Sequence, residues 1–399
     1  MSHSSVVAHS TAACAHACQP RRACPKHLGH ILNRRARCGS SSAAIGYIFV
    51  TLRASVQRPL LCRHALYAML DQSGCVRRKA FAPHRPSAGR ARSLSQTLVA
   101  ASSQVHDLHT KWGIEGHVEF DEGKGGQPIV RLRHACGSTA EVYLYGANVV
   151  SWKQPQGEEI LYVRPDAVFD KSKPISGGIP HCFPVFGPAP APMTQHGFAR
   201  QSEWTVANTS ADQQPDDRDP EVELVLEDSE YTRSMWPHKF KAVYAVTLHG
   251  ELLRTDLRII NTGDKAFDFT AALHTYIEVL DIKKASVKGL KDLQYLDKIK
   301  DPNNPTKQME DRELIKFTGP VDSVYMKARD YVELDVGTGA AVSISSSGWE
   351  DVVVWNPWEA MKDCYQRFAC VENAKFNSPA VVQPGESWRA QQELAVIDL

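Results

Sequence analysis

The chain almost lacks acidic residues over its first quarter. Before Asp107 the only acidic residue is Asp71, whereas Lys and Arg together number 15. The other 31 basic and 44 acidic residues give the rest of the chain a net charge of −13. A long segment rich in Arg, Ser, Ala and Cys but without acid is typical of an organellar transit peptide. We therefore predict a disordered targeting leader over residues 1–105 and one folded domain over residues 106–399.

The leader also lacks early positive charge. Its first twenty residues contain neither Lys nor Arg, which favours a plastid (chloroplast) address over a mitochondrial one, because a mitochondrial presequence uses early Arg. Mitochondrion and cytosol stay open as alternatives, and a basic arm that binds nucleic acid or membrane is the competing interpretation. The acidic remainder argues against a nucleic-acid partner for the folded domain.

Long apolar runs and paired cysteines are missing as well. The longest apolar run, Ala43 to Leu52, is about half of the ~20 residues that a membrane-spanning helix needs. Six of the ten Cys lie in the leader, and the other four form no CxxC pair and no zinc-like spacing. We expect no membrane partner, no metal site, and free thiols in a reducing compartment.

Helical periodicity is rare, and two-residue alternation dominates from Gly116 onward. Segments such as KAVYAVTLHGELLRTDLRIINTG alternate or form short apolar runs, and only two short helices are indicated, near Tyr231 and Trp358. His249-Gly and Asn261-Thr-Gly indicate hairpin turns. Many short strands without intervening helices predict an all-β fold, a large antiparallel β-sandwich.

Common catalytic motifs are also absent. There is no GxSxG, P-loop, GxGxxG after a strand, or HExxH, which excludes the simple forms of hydrolase, kinase, dehydrogenase and zinc protease. His274 in an apolar strand and Glu372 at the end of another are what remains. A Glu–His pair suits proton transfer, although a carboxylate pair acting on a glycosidic bond stays possible. Each residue taken alone also fits a structural role.

One long segment is rich in Gly and Pro yet contains several apolar residues. KPISGGIPHCFPVFGPAPAPMTQHGFAR, residues 173–200, has little propensity for helix or strand, and its apolar residues argue against a solvated linker. It is typical of a shaped functional loop. Three tryptophans could supply a face on which a pyranose stacks, or could simply fill the core: Trp152, Trp355 and Trp358.

Five motifs in one order carry a family resemblance. KPISGGIPHCFPVFG, QHGFAR, LHTYIEV, VVVWNPW and CVEN, the last followed by PGESW, resemble the hexose-6-phosphate mutarotase (glucose-6-phosphate 1-epimerase) branch of the aldose 1-epimerase superfamily. The resemblance covers roughly residues 116–394. It implies a galactose mutarotase-like β-sandwich, which agrees with the alternation, and interconversion of the α and β anomers of a hexose 6-phosphate without a cofactor.

The same resemblance assigns roles to particular residues. It implies that His274 is the general acid and Glu372 the general base. Gln195, His196 and Arg200 would contact the sugar and its phosphate, and Asp322 would contact sugar hydroxyls. Because such a pair has to work near neutral pH, we expect a raised pKa of Glu372 or a closely coupled Glu–His pair. The partner would be a small-molecule hexose phosphate, and we expect a monomer.

One departure from the family concerns Ser176. The family usually has Arg at this position, before Gly-Gly-Ile-Pro, as a phosphate contact, and its loss removes roughly 1.5–3 kcal/mol. Nearby cations that could replace it are Arg164, Lys171 and Lys173. An aldose 1-epimerase for unphosphorylated sugars and a non-catalytic sugar-phosphate-binding protein are the alternative functions.

Overall fold

The computed structural model describes residues 103–211, 219–328 and 330–399. Most of the predicted leader, residues 1–102, lies outside the described residues, so its disorder and targeting role stay predictions. Among the described residues, no helix combines the length and the apolar character that a bilayer crossing requires.

Helices are short in the described part of the chain. Residues 103–112 form helix α1, whose apolar residues pack against the main core. This helix crosses the predicted boundary at 105/106, and the boundary itself stays a prediction. Helix α2 (Glu230–Met235) begins at a capping box, in which Ser229 and Thr232 exchange side-chain-to-backbone hydrogen bonds. A 3₁₀ turn spans Trp358–Met361. Both helical segments predicted near Tyr231 and Trp358 are therefore confirmed.

The strands form three sheets, and every strand pair described is antiparallel. Sheet 1 has the order β1 (Val118–Glu122), β2 (Pro128–Arg133), β3 (Thr139–Tyr143), β4 (Asn148–Lys153). Sheet 2 has the order β14 (Thr306–Met309), β13 (Gln294–Asp297), β16 (Val321–Met326), β19 (Asp351–Asn356), β20 (Phe368–Val382), β10 (Phe267–Leu273), β5 (His181–Cys182), with β11 (Tyr276–Glu278) also paired to β20. Sheet 3 has the order β15 (Leu314–Lys316), β12 (Ser286–Lys288), β17 (Tyr331–Asp335), β18 (Ala340–Ser347), β21 (Ser387–Asp398), β9 (Leu252–Asn261), β8 (Phe240–His249), β7 (Pro220–Glu227), β6 (Thr205–Ala211). The predicted large antiparallel β-sandwich is confirmed.

Sheets 2 and 3 share the main hydrophobic core. On β20 the alternate residues Ala369 and Val371 face this core, as do alternate residues of β8 such as Phe240 and Tyr244. The intervening residues of β20, including Cys370, turn to the opposite face of sheet 2. We call that opposite face the site face.

The two predicted turns differ in what they connect. His249 and Gly250 do join β8 to β9 as a hairpin. The turn at Asn261 instead carries the chain from β9 in sheet 3 to β10 in sheet 2, so the hairpin prediction is wrong there. The Asn261 side-chain amide donates to the carbonyls of Lys265 and Val382, at 2.8 and 2.9 Å. These bonds satisfy backbone groups where the chain changes sheets.

Candidate active site

Strand register places His274 directly across from Glu372. Leu273 pairs with Asn373, and Tyr276 pairs with Cys370, so the chain keeps one register along β20 through His274. Residues opposite each other on antiparallel neighbours point to the same face and have Cβ atoms about 4.5–5.5 Å apart. His274 itself lies in the two-residue break between β10 and β11, not in a strand as predicted, and Glu372 lies within β20 rather than at its end. The pairing on both sides of this break brings the two predicted catalytic residues together on the site face.

A second row of side chains runs beside this pair. Tyr276 lies opposite Cys370, Cys370 opposite Trp355, and Trp355 opposite Asp322. At the end of the row the Lys298 backbone N–H donates to the Asp322 carbonyl at 2.9 Å. These residues form the floor of the site around the Glu–His pair.

The Glu–His pair is close and buried. His274 Nδ1 lies 3.2 Å from Glu372 Oε1, and the two side chains are 11% and 2% exposed. This contact lacks the alignment of a hydrogen bond, and Glu372 Oε2 has no hydrogen-bond partner in the described part of the chain. The His274 ring stacks on Tyr276 with centroids 4.7 Å apart, and its backbone N–H donates to the Pro180 carbonyl. The imidazole is thus held by neighbours, while a carboxylate oxygen is left for another group.

Burial opposes charge on both members of the pair. It raises the pKa of the Glu372 carboxyl well above its usual range; the charge of Asp322 adds to this shift, and Lys298 and Arg200 oppose it. Burial likewise lowers the pKa of His274 well below its usual value, and His196, Arg200 and Arg164 act in the same direction. The free site therefore favours one proton on the carboxyl beside a neutral imidazole. The raised pKa of Glu372 and the close pairing agree with the expectation from the sequence.

His196 reaches this pair from the Gly/Pro segment. Its ring centroid lies 5.8 Å from that of His274, and its backbone has φ +66°, a left-handed conformation uncommon for a non-Gly residue. Two hydrogen bonds to Gly187 hold the turn, one accepted by the Gly187 carbonyl at 2.8 Å and one donated by the Gly187 N–H to His196 Nδ1 at 3.1 Å. Burial, aided by the charges of Arg200 and Lys298, lowers the pKa of His196 to about 3. His196 is therefore a neutral hydrogen-bonding group.

Arg200 is a cation without a carboxylate partner among the described residues. Its Nη2 donates to the Gln195 carbonyl at 2.7 Å, while its Nε is buried and makes no hydrogen bond there. Its charge acts on both His274 and Glu372. The Gln195 side chain is exposed and lies 3.3 Å from His196 Nε2. Gln195, His196 and Arg200 thus form one cluster beside the pair.

The glycines that follow Ser176 serve backbone packing. Gly177 and Gly178 have φ +115° and +73°. A Cβ on Gly178 would lie 2.2 Å from the Val149 carbonyl oxygen, and one on Gly177 would lie 2.4 Å from Val163 Cα. Their close approach is to neighbouring backbone rather than to open space for a substrate.

Lys298 is a site residue that sequence reasoning missed. It is buried, with Nζ 3.9 Å from Asp322 Oδ1 and 5.5 Å from the centre of the Phe186 ring. Burial raises the pKa of Asp322, and the Lys298 charge partly offsets this. In the sequence Lys298 comes two residues after the apolar pair Tyr295-Leu296. A Lys in that position is typical of a solvated charge. Only sheet pairing places it beside Asp322.

The predicted contact Ser176 is not brought to the catalytic pair by any interaction of its own. Its carbonyl accepts from the Arg164 N–H at 3.0 Å, and the bridge between Val163 and Gly177 makes Arg164 its cross-strand neighbour. Of the other nearby cations, Lys171 is exposed and lies 2.5 Å from Glu203, and Lys173 is exposed.

Aromatic and metal-ligating candidates divide clearly. Trp355 stands edge-on to His274 at 5.5 Å between centroids, whereas Trp152 is fully buried in the main core and Trp358 packs beside Tyr365.

Cys370 Sγ lies within 4.8 Å of ligand atoms of both His274 and Glu372, so these three residues could hold a metal ion. Acid–base chemistry by His274 and Glu372 would need no metal ion.

The model of the family described as aldose 1-epimerase matches residues 128–395. The chain belongs to the aldose 1-epimerase family. It is an isomerase of the kind that interconverts sugar anomers.

Relatives and solved structures agree with this family assignment. A Cenchrus ciliaris protein provisionally named glucose-6-phosphate 1-epimerase is 37% identical over 295 residues, 70% of this chain and 88% of the relative. An Escherichia coli protein with the same provisional name is 33% identical, over 59% and 79% of the two chains. A Salmonella typhimurium crystal structure, provisionally described as a mutarotase, has TM-score 0.64 and 26% identity, covering 72% and 96%. A galactose mutarotase-like protein from Clostridium acetobutylicum shares the fold, with TM-score 0.58 and 20% identity over 71% and 98% of the two chains.

Proposed function

We propose that this epimerase interconverts the α and β anomers of a hexose 6-phosphate by acid–base ring opening. The observation that carries the proposal is a buried Glu–His pair 3.2 Å apart beside Arg200, a cation that no described carboxylate neutralises. Arg200 is half-buried and its Nε–H makes no hydrogen bond with the described residues. Such a guanidinium favours an anionic ligand, and phosphate accepts bonds from it well. The provisional names of the relatives point to the same substrate class.

The geometry supports the following sequence of proton transfers. Glu372 Oε2, which has no hydrogen-bond partner in the described chain, takes the proton from the C1 hydroxyl. The bond from C1 to the ring oxygen breaks while His274 gives a proton to that oxygen, and an open-chain aldehyde results. Rotation about C1–C2 presents the other face of the aldehyde. The ring oxygen then attacks C1, returns its proton to His274, and the carbonyl oxygen takes the proton from Glu372.

One proton on the pair is enough for this cycle. The form with ionised Glu372 and protonated His274 has the same proton count as the neutral form that burial favours in the free site. The two forms differ only in which of the two residues holds the proton. The pair can therefore begin the reaction in either direction without a net gain or loss of protons.

Anomer exchange measured by two-dimensional NMR tests this function. Glucose 6-phosphate and glucose are compared for the wild type, Glu372→Gln and Arg200→Gln. We expect fast exchange of the phosphorylated sugar, its loss in Glu372→Gln, and a KM raised roughly 10- to 100-fold in Arg200→Gln. Arg389→Gln is the matched control, because that Arg pairs with Asp256 on sheet 3. Equal rates for the wild type and Glu372→Gln would refute the catalytic assignment.

Turnover of unphosphorylated aldoses is the second candidate function. The observation that favours it is Ser176, which leaves an uncharged side chain where the resemblance implies an Arg. Equal kcat/KM for glucose and glucose 6-phosphate would support this candidate over the first. Binding without exchange of either sugar would instead support a sugar-phosphate-binding protein.

We also propose that residues 1–105 direct the enzyme to a plastid. The support is compositional: a long, basic, Ser- and Ala-rich segment with one acidic residue and no early Arg. A fluorescent protein fused behind residues 1–105 should enter plastids. Accumulation in mitochondria or the cytosol would count against the proposal.

A further inference from the structure

The charges around the Glu–His pair are distributed unevenly. Lys298 and Asp322 act on Glu372, whereas Arg164 acts on His274 and on Tyr276 beneath it. Arg200 acts on both members of the pair. The site thus has a Glu372 side with Lys298 and Asp322 and a His274 side with Arg164, while Arg200 acts on both.

This division matches the shape of a pyranose 6-phosphate, provided that the proposed function is correct. If Glu372 takes the proton from the C1 hydroxyl and His274 serves the ring oxygen, C5 lies next to His274, since C5 is bonded to that oxygen. C6 and its phosphate extend from C5. The phosphate therefore falls on the His274 side, away from the carboxylate of Asp322.

Arg164 reaches that side from a defined backbone position. The antiparallel bridge between Val163 and Gly177 sets Arg164 opposite Ser176, and the Arg164 N–H donates to the Ser176 carbonyl at 3.0 Å. Opposite residues project side chains to the same face. An Arg on one strand can therefore occupy the space that an Arg on the other would have used.

The guanidinium of Arg164 is already engaged by a carboxylate in the free chain. Its Nε and Nη2 donate to the two oxygens of Asp166, at 2.9 and 2.6 Å, which is the two-pronged geometry that a phosphate also offers. The Arg164 side chain is 18% exposed, but that of Asp166 is 63% exposed. An exposed partner holds such a pair weakly and can turn to solvent when a phosphate arrives.

We propose that Arg164, released from Asp166, is a phosphate contact of this enzyme and a determinant of its preference for phosphorylated sugar. The serine at position 176 leaves room for it, and Arg200 completes the clamp from the Gly/Pro segment. Asp166 occupies the phosphate position in the free enzyme and lowers affinity for every anion by competing with it.

The test separates binding from catalysis. Glucitol 6-phosphate, an open-chain analogue that cannot form a ring, is titrated by calorimetry, and anomer exchange is measured for glucose 6-phosphate and glucose. Arg164→Gln should weaken binding of the analogue about 10- to 100-fold. It should also raise the KM for glucose 6-phosphate at least about tenfold more than that for glucose. Asp166→Asn should tighten binding of the analogue, which a merely structural Arg–Asp pair would not do.

Two further variants sharpen the result. Ser176→Arg introduced into Arg164→Gln should restore binding of the analogue, because the new guanidinium starts from the opposite strand position. Arg389→Gln, which removes an Arg of similar pairing geometry on sheet 3, should leave both measurements at the wild-type value.

Each failure has a distinct signature. If wild type exchanges glucose 6-phosphate but Arg164→Gln binds the analogue as tightly as wild type, the role of Arg164 is overturned while the proposed function stands. If wild type binds the analogue through Arg164 but exchanges neither sugar, the proposed function fails and the phosphate contact stands. Equal losses for both sugars with normal binding of the analogue would also overturn the contact.

Discussion

Replacing Glu372 by Gln should abolish turnover and stabilise the fold at the same time. The carboxylate is 2% exposed, its Oε1 lies 3.2 Å from His274 Nδ1 without hydrogen-bond alignment, and its Oε2 has no hydrogen-bond partner among the described residues. Loss of a general base costs a factor of about 10²–10⁴ in rate, or roughly 3–5 kcal/mol of barrier. The Glu372 carboxylate is thus expected to lower the stability of the fold while it supports turnover.

The gain in stability follows from the raised pKa of Glu372. A folded-state pKa above the unfolded value of 4.5 means that the carboxyl adds no cost below that pH. The cost grows as pH rises toward the folded-state pKa, because ionisation is then opposed by burial. Fully desolvating a charge costs several kcal/mol, but the Gln amide also leaves polar atoms unpaired. We therefore expect a net gain of about 1–3 kcal/mol at pH 8.

Thermal unfolding followed by circular dichroism at pH 5 and pH 8 measures this effect. For a domain of this size each kcal/mol corresponds to about 2–4 °C in Tm. Glu372→Gln should raise Tm at pH 8 and change it much less at pH 5. Glu310→Gln is the matched control, since Glu310 is equally buried but accepts hydrogen bonds from Arg312 and Tyr325. That variant should lower Tm at pH 8. A Tm of Glu372→Gln at or below wild type at pH 8 would refute the reasoning.

Three further predictions concern other groups. His181→Phe should make the fold less sensitive to acid. Burial lowers the pKa of His181 to about 3, so the wild type loses stability as pH falls from about 6.5 toward 3. Urea unfolding at pH 5 should show the variant gaining about 2 kcal/mol over the wild type, relative to their difference at pH 8. Gly178→Ala should lower the free energy of unfolding by more than the ~1–2 kcal/mol of a left-handed Ala, because its Cβ would meet the Val149 carbonyl. Gly126→Ala, at φ +68° in open space, should lower it by no more than that amount. Equal losses of stability in urea unfolding would contradict the clash. Lys298→Met should move the alkaline limb of the kcat/KM profile to higher pH, because removing the cation lets the pKa of Glu372 rise further, and an unchanged limb would separate Lys298 from the pair.

Alternation in the sequence was sufficient to predict the sandwich, and the helical segments near Tyr231 and Trp358 were also predicted. Helix α1 was missed, because it lies at the edge of the segment interpreted as a leader. It could not show that the turn at Asn261 changes sheets, because turn residues encode local geometry and not the partner strand. It also could not separate His181 from Cys182, neighbours on a two-residue strand. His181 lies in the core between Trp204 and Tyr244, and Cys182 lies on the site face.

Site residues that belong to the family motifs could be predicted from the sequence. Those that reach the site only through pairing between strands could not. His274, Glu372, His196 and Arg200 lie together as the resemblance implied, and Gln195 lies beside them. Asp322 also acts on Glu372. Lys298 was missed, since its role depends on lying next to Asp322 across strands far apart in sequence. His181 shows the opposite case: within the described residues neither ring nitrogen has a well-aligned hydrogen bond, although the Ala147 backbone lies close enough to affect its pKa.

The two faces of strand β20 have different roles, which separates the packing of the fold from the residues of the site. Ala369 and Val371 pack the strand into the main core, while Glu372 on the other face contacts His274 and is the proposed general base. The cations nearest this pair come from other segments: Arg200, the proposed phosphate contact, from the Gly/Pro segment, and Lys298 from the residue after β13. Substitutions in the segments around the pair, as at Ser176, can therefore change the proposed sugar preference, while the core packing behind β20 holds Glu372 in place. The same fold can therefore accept other sugars without a change in its acid–base pair.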